Sequence, residues 1–564
     1  VFGPAGADAF EANDGAFFDH EEALSSRNDF SWEGTASISG GGEATQYYAS
    51  GLWKNDEGII ANTGYEKQSA RLNISQDLGD RLTADVSTNI IHSLSGRGLT
   101  NNDNSQTSYF MTLQGIPSFI DLRANADGEF PTSEPFIGNG SNPLQTAALL
   151  TNDEDVWRGI GSVTLDWQAV TGDQHSVDVN FTGGADFFTQ ENDVTAPPEL
   201  HFEPDDGLPG TSLLANTDHT NLNASLNGIW TYRPGGVQLT TSAGASYFKE
   251  DQDLNRIISR SLLAGQENVD VGNQINIFEN KVQVEDFGFY LQEELLAMDE
   301  RLLVTGAVRA EQTSVQSDND ALFLYPKAAA SFRFPELGGA LDELKLRAAF
   351  GQTGNKPLFG QEFTSLTTTL KVAGIPGATI AGNFAQGAEL EPERQTEFEG
   401  GFDLTAWDGR ARLETTGYIQ FIDNLIQVQQ LAGSTGFQTR TFNGGEIRNY
   451  GLEVALGATP VASDQLNWTS NVTFDLNRSE VTSLPIPSFT AAGFGADLGQ
   501  FQIEEGSSPT QIVGLNADGE LVQMGDARPD FSVAMSQEIR WNNFRIFGLG
   551  EWRQGQEVIN LTEL

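Results

Sequence analysis

The amino-acid sequence predicts an all-β protein, a transmembrane antiparallel β-barrel with short periplasmic turns and long extracellular loops. Three observations lead to this fold class. The stretch Leu466–Asn477 alternates apolar and polar side chains over the length of a membrane-crossing strand. The same alternation recurs about eighteen times along the chain. The connections between these stretches are alternately short and long, as in barrels of bacterial outer membranes.

The stretch Leu466–Asn477 shows the alternation most clearly. Successive side chains of a strand point to opposite faces. One face then carries Leu466, Trp468, Ser470, Val472, Phe474 and Leu476, and the other carries Asn467, Thr469, Asn471, Thr473, Asp475 and Asn477. A strand over a soluble core usually mixes Lys and Glu into its solvent face, whereas this polar face is mainly small amides and hydroxyls. The apolar face is therefore expected to contact lipid, in a strand longer than the ~9–11 residues that cross a bilayer.

Read for the same alternation, the chain contains eighteen candidate strands. They are Phe30–Gly40, Thr45–Trp53, Glu66–Ile74, Arg81–Ile91, Trp157–Trp167, His175–Phe187, Thr220–Tyr232, Val237–Phe248, Glu285–Ala297, Leu302–Glu311, Leu322–Arg333, Leu344–Gln352, Thr396–Ala406, Ala411–Phe421, Tyr450–Ala458, Leu466–Asn477, Phe531–Trp541 and Phe544–Trp552.

The connections divide the chain into a barrel and its loops. The long, polar connections 92–155, 189–219, 353–395 and 478–530 are expected to be extracellular and without regular structure of their own. Residues 30–552 form the predicted barrel, residues 1–29 an extracellular segment that enters it, and residues 553–564 the start of a further loop. The first and last strands begin and end on the long-loop side, so an odd number of strands is expected to be missing from each end, because an open edge in lipid is untenable.

Composition excludes several classes of protein. No run of about 18 apolar residues is present, which excludes transmembrane helices, and the N-terminus lacks the pattern of a signal peptide. The absence of cysteine excludes disulfides and thiol chemistry. The formal net charge of −47 argues against a nucleic-acid partner. Acidic loops of this kind fit a saline habitat, divalent cations at a cell surface, or simple solubility.

Several blocks resemble the SusC/RagA-like family of TonB-dependent outer-membrane transporters. The most specific are YPKAAASFRF at Tyr325–Phe334 and LKLRAAFGQTGNKP at Leu344–Pro357. The other blocks lie at Ser37–Ile60, Tyr65–Ile74, Leu390–Leu404, Arg448–Leu456, Gly525–Trp541 and Glu551–Leu564, and all the blocks occur in family order.

The resemblance implies a Gram-negative source of the Bacteroidota type and a barrel of 22 strands closed by an N-terminal plug, which this sequence lacks. It also implies energy coupling through TonB, which would act on that plug. The expected partners are a SusD-like surface lipoprotein and an oligosaccharide or peptide substrate, in an outer-membrane location.

The remaining motifs favour structure over chemistry. GQTGN at Gly351–Asn355 has the glycines of a phosphate loop without the following Lys-Ser/Thr, so it is interpreted as a strand exit. The five histidines form no metal-binding pair. NADGE at Asn125–Glu129 and Asn516–Glu520 offers oxygens for Ca²⁺, but Asp-Gly turns are the favoured interpretation. No catalytic constellation and no cofactor site are found, so no enzyme is predicted.

Aromatic side chains in the long loops are the candidates for substrate binding, because flat rings stack on sugars and peptides. We name Tyr109, Phe110, Phe119 and Phe130, although rings that pack the loop onto itself would look the same. The hypothesis is TonB-dependent import of an oligomeric nutrient, either a glycan or a peptide. The alternative is a passive or structural surface barrel within an assembly.

Overall fold

The computed structural model describes residues 3–101, 105–364, 366–372, 375–380, 384–385 and 389–560. Its helices are α1 Gly3–Ala12, α2 His20–Ser25, α3 Tyr109–Leu113 and α4 Pro143–Leu149, with 3₁₀ turns at Glu203–Asp206 and Gly433–Thr435.

The strands of the described residues, in chain order, number twenty-seven. They are β1 Trp32–Gly41, β2 Thr45–Glu57, β3 Gly64–Asp77, β4 Leu82–Gly96, β5 Thr151–Val170, β6 His175–Ala196, β7 Thr211–Tyr232, β8 Gln238–Arg260, β9 Gln274–Ala297, β10 Leu302–Thr313, β11 Phe323–Gly338, β12 Leu341–Asn355, β13 Leu366–Val372, β14 Ile375–Ile380, β15 Phe384–Ala385, β16 Glu393–Ala406, β17 Ala411–Asp423, β18 Ile426–Gln430, β19 Thr439–Asn443, β20 Glu446–Ala462, β21 Leu466–Ser483, β22 Phe489–Gly493, β23 Gln500–Ile503, β24 Gln511–Leu515, β25 Leu521–Asp526, β26 Phe531–Trp541 and β27 Phe544–Gln554.

Eighteen of the described strands belong to one large sheet: β1–β12, β16, β17, β20, β21, β26 and β27. Each corresponds to one predicted strand, so the predicted number and order are confirmed. Several strands are longer than the alternation indicated. The predicted Glu285–Ala297 is only the second half of β9, and the predicted loop 189–219 contains the end of β6 and the start of β7.

Connection lengths in the large sheet sort as the sequence predicted. The turns that follow β1, β3, β5 and every second sheet strand thereafter contain two to five residues. The connections that follow the alternate strands contain six to 54 residues. We call the two sides of the sheet the short-turn edge and the long-loop edge. Segregation by length is what a barrel with one variable and one constant rim requires.

The described residues divide into two compact units. The first contains the chain up to Trp167 with Asn180–Leu226 and Tyr247–Val284, and the second contains Gln168–Val179, Asn227–Ser246 and the chain from Glu285 onward. In the first unit, antiparallel registers run from β1 through β5. In the second, they run from the C-terminal half of β9 through β12 to β16, β17, β20, β21, β26 and β27.

Within the described residues, no second layer covers the apolar face of the second unit. Trp468 is 38% exposed, and Phe474 and Leu476 are also only partly buried. Phe474 stands opposite Val454 and Val533 on the adjacent strands, so apolar side chains form continuous rows across the sheet. Large exposed apolar faces of this kind mark contact with another apolar phase. Among the described residues, none of the helices has the length and hydropathy of a membrane span.

The buried core of the first unit lies in its loops. Tyr109 packs with Leu24, Ile60 and Ala147, which come from α2, the connection after β2, and α4. A second cluster contains Ile116, Leu122 and Ile137. The expectation that the long connections lack regular structure is therefore wrong. The connection 97–150 buries enough apolar surface to fold on itself, and the connection 484–530 contains the four-stranded sheet β22–β25.

Candidate functional site

The four predicted loop aromatics do not form one cleft. Tyr109 is only 1% exposed and belongs to the loop core, where burial raises the pKa of its phenol. Phe119 is half-buried, with its ring 5.5 Å from that of Phe10. The backbone oxygen of Phe130 lies 3.0 Å from His201 Nε2. Phe110 is 42% exposed and is the one of the four that presents its ring to solvent. Substrate contact by these residues stays a prediction, with Phe110 placed best for it.

The two NADGE segments form the same turn. Asn125 Oδ1 accepts hydrogen bonds from the backbone N–H groups of Asp127 and Glu129, each at 2.9 Å. Asn516 Oδ1 accepts the equivalent bonds from Asp518 and Glu520, also at 2.9 Å. Because each amide oxygen is already used by two donors, the turn interpretation is confirmed. No group of three or more potential metal-ligating side chains occurs in the described residues.

An acidic cavity lies in the first unit at the long-loop edge of β2–β6. Its volume is about 350 Å³, and eight carboxylates line it: Asp56, Glu57, Glu66, Asp153, Glu154, Asp155, Glu191 and Asp193. Among the residues that the structure describes, no lysine or arginine lines it. Three basic residues outside the lining pair with it, since Arg27 bonds Glu57 at 2.8 Å, Lys54 bonds Asp56 at 2.7 Å and Arg97 bonds Glu154 at 3.0 Å. The cavity therefore keeps a net negative charge, which favours cations and disfavours anions.

The polar face of the second unit is joined by hydrogen bonds across strands. Ser479 Oγ donates to Asn449 Oδ1, and Asn449 Nδ2 donates to Gln420 Oε1 at 2.7 Å. Gln420 Nε2 then donates to Glu397 Oε2 at 3.1 Å. These four residues are register partners on β21, β20, β17 and β16. A row of this kind fixes the positions of the side chains on the polar face.

A second row on the same face is centred on Arg347 of β12. Its Nε donates to Asp403 Oδ1 at 3.0 Å and its Nη2 donates to Thr416 Oγ1 at 2.6 Å. Lys345 Nζ also lies 3.4 Å from the Asp403 carboxylate. The interior-facing alternation that the sequence predicted is thus occupied by paired charges and amides, rather than by isolated ions.

The second cavity, which we call the wall cavity, lies on β9–β12 and has a volume of about 310 Å³. Its polar lining comprises Tyr290, Gln292, Arg309, Glu311, Tyr325, Lys327, Gln352 and Thr353. The register explains the grouping, because Tyr290, Arg309 and Tyr325 are cross-strand partners, and Gln292, Ala307 and Lys327 form the adjacent row. Alternate residues of a strand share a face, so both rows open on the same side.

The GQTGN motif shapes this wall cavity. A Cβ built on Gly354 would lie 2.0 Å from Tyr325 Oη, so only glycine leaves room for the phenol there. The neighbouring Asn355 Nδ2 donates to Glu393 Oε2 at 2.9 Å, and Lys356 Nζ lies 2.6 Å from Asp286 Oδ2. β12 ends at Asn355, so the strand-exit interpretation is confirmed. Sequence reasoning missed the cavity, because the contact between Tyr325 and Gly354 depends on the strand register.

Comparison with known proteins agrees with this architecture. A family model described as TonB dependent receptor-like, β-barrel, matches residues 7–531. TonB-dependent receptor P26 of Formosa agariphila is 24% identical over 585 residues, covering 93% of this chain and 57% of that protein. TonB-dependent receptor SusC of Bacteroides thetaiotaomicron is 25% identical over 246 residues, 41% of this chain and 23% of that protein.

Among solved structures, that of the RagAB peptide transporter superposes with a TM-score of 0.78 at 15% identity, covering 96% of this chain and 63% of the matched chain. At that identity the likeness shows the fold alone. The chain spans about half the length of the curated relatives that it matches over most of its own length.

Proposed function

Since the chain belongs to the TonB dependent receptor-like β-barrel family, we propose that it is the barrel part of a transporter for energy-dependent import across the outer membrane. The observation that carries the proposal is the contrast between the two faces of the second unit, one apolar and uncovered, the other polar and hydrogen-bonded from strand to strand. Such a wall suits passage of a hydrated solute through lipid. Membership of this family also confirms the all-β barrel fold, the outer-membrane location and the expectation that the chain is not an enzyme.

The cargo we propose is an oligomeric nutrient, a glycan or a short peptide, delivered with a SusD-like surface lipoprotein. The similarity to the RagAB peptide transporter supports the peptide class, and the glycan class rests on the resemblance of the sequence blocks to SusC/RagA-like transporters. The paired amides and hydroxyls of the wall offer donors and acceptors to sugar hydroxyls and peptide groups alike. Energy would come from TonB acting on a plug, which the resemblance implies for the whole protein.

The test is uptake by intact cells of the source bacterium. Deleting the gene is expected to abolish uptake of at least one fluorescent oligosaccharide or oligopeptide from a panel, and the full-length wild-type gene should restore it. A protonophore should block the restored uptake within minutes, because TonB draws on the proton gradient. Uptake that continues at the same rate with the protonophore would identify a passive barrel instead. Unchanged uptake of the whole panel after deletion would contradict import altogether.

A further inference from the structure

The wall cavity is lined by a tyrosine whose ring is mostly buried. Tyr325 is only 6% exposed and lines the cavity. Within the described part of the chain its hydroxyl makes no hydrogen bond. The hydroxyl occupies space that is free only because Gly354 has no side chain.

Lys327 adds an uncompensated charge to the same cavity. It lies two residues from Tyr325 on β11, and so on the same face, with Cα atoms about 7 Å apart. Among the described residues no acidic group pairs with it, whereas the other cation of the lining, Arg309, bonds Glu311. The lining therefore carries a net charge of +1 in a chain whose formal charge is −47. Two further polar groups of the lining already have partners, because Tyr290 Oη donates to Asn227 Oδ1 and Gln352 Nε2 donates to Thr396 Oγ1.

We propose that the wall cavity is a subsite for a carboxylate carried by the transported oligomer. A carboxylate accepts several hydrogen bonds and bears one negative charge, which matches one phenol donor and one ammonium group. Charge-assisted hydrogen bonds of this type are about twice as strong as neutral ones. Two kinds of oligomer supply the group: a glycan with uronic acid residues and a peptide with acidic side chains. The proposal rests on the proposed function for its cargo, but binding can be measured without transport.

The experiment uses the full-length protein, purified in detergent, and isothermal titration with four probes. A uronic acid trisaccharide is compared with its methyl ester, and a glutamate-containing tetrapeptide with its glutamine counterpart. We expect one carboxylate probe to bind at least ten-fold more tightly than its neutral partner, and the glycan or peptide pair that shows the difference identifies the source. Equal affinity within both pairs, or no binding by any probe, would overturn the proposal.

Variants locate the effect. Lys327→Gln should weaken the carboxylate probe about ten-fold and leave its neutral partner unchanged, and Tyr325→Phe, which removes only the hydroxyl, should weaken it about three- to ten-fold. The matched control is Lys67→Gln on β3, which removes another lysine that has no ion pair in the described residues. The same loss in the control as in Lys327→Gln would assign the effect to net charge and reject the subsite.

Uptake separates this proposal from the general function. Both proposals hold if cells import the neutral probe and if their preference for the carboxylate probe over the neutral one is lost only with Lys327→Gln. If the carboxylate preference is measured on the purified protein but no probe enters cells, import fails and the subsite stands.

Discussion

Both cavities lie on strands of the large sheet, but their linings carry opposite net charge. The cavity of the first unit has eight carboxylates and no basic residue in its lining, and its pairing cations come from neighbouring segments. The wall cavity of the second unit has one carboxylate, already bonded to Arg309, and a spare lysine. Alternation along a strand decides which side chains are wet, but not which charge they carry. The net charge of each cavity is therefore set separately, by the few residues that line it.

The cavities also differ in what holds them. Asn62, in the lining of the acidic cavity, donates to the backbone of Ala147 at 3.0 Å, which ties the cavity to the folded loop 97–150. The wall cavity is fixed by register, because Tyr290, Arg309 and Tyr325 are cross-strand partners on the consecutive strands β9, β10 and β11. The first arrangement depends on tertiary packing of a loop, and the second on the sheet itself.

The substitution with the largest expected effect removes a side chain from the loop core that supports the acidic cavity. Tyr109→Ala should destabilise the loop 97–150 by about 3–5 kcal/mol, because it empties the centre of a buried cluster. Amide hydrogen exchange of residues 105–150 should accelerate accordingly, while exchange in β9–β12 stays unchanged. Phe110→Ala, a change at the exposed neighbour, is the control and should stay within about 0.5 kcal/mol of wild type. Acceleration in both regions would show that the two supports are not independent.

A second substitution acts on the wall cavity alone. Gly354→Ala should lower the stability of the β11–β12 pair by about 1–3 kcal/mol, because the new methyl group overlaps the Tyr325 hydroxyl. Gly351→Ala on the same strand is the matched control, since a Cβ there meets no atom within 4 Å. Exchange rates of the β11 and β12 amides measure the difference. Equal rates in the two variants would mean that the phenol relocates freely.

The charge contrast is sharpened by a cationic probe. Replacing Glu191 by Gln and Asp193 by Asn should weaken binding of a trilysine peptide about three- to ten-fold at low salt, through two lost surface attractions. The effect should disappear at 1 M salt, because the Debye length is then only about 3 Å and the attraction between surface charges is screened. Asp497→Asn with Glu504→Gln, exposed acids that line neither cavity, should have little effect. Equal losses in the two double variants would reduce the contrast to net charge.

The smallest expected effect depends on pH. Arg123 donates to Asp121 at 2.8 Å and holds the pKa of that carboxyl below its usual value. A carboxyl group whose pKa is lowered by folding stabilises the fold at pH values above its unfolded-state pKa of about 3.9. This contribution is lost as the pH falls through the pKa of the folded state. Because Asp121 is more than a third exposed, Asp121→Asn should cost only about 0.2–1 kcal/mol at pH 7.

The protease sensitivity of the loop 97–150, measured at pH 7 and near pH 2, tests this pH dependence. Wild type and Asp121→Asn should become equal near pH 2, because the carboxyl is then protonated. A difference that grows on acidification would contradict the assigned sign.

Much of the fold could be predicted from the sequence because a membrane-spanning strand alternates apolar and polar residues locally. Leu466–Asn477 alternates residue by residue, and that pattern survives without tertiary context. The loop core was not readable, because Leu24, Tyr109 and Ala147 meet only after distant segments fold together. The wall cavity was hidden for a related reason. Tyr325 and Gly354 were recognised as parts of sequence motifs, but their contact arises from the register between β11 and β12.

The sorting of connections by length has a consequence for how such proteins diversify. Lengthening a flexible connection from six to 54 residues adds only about 2 kcal/mol of closure entropy. On the other rim, Asn542 and Asn543 alone join two paired strands, and an inserted residue there would reverse the faces of everything beyond it. Insertions can therefore accumulate in the connections of the long-loop edge at little energetic cost, whereas the short-turn edge tolerates almost none, so the loops can diverge while the sheet keeps its register.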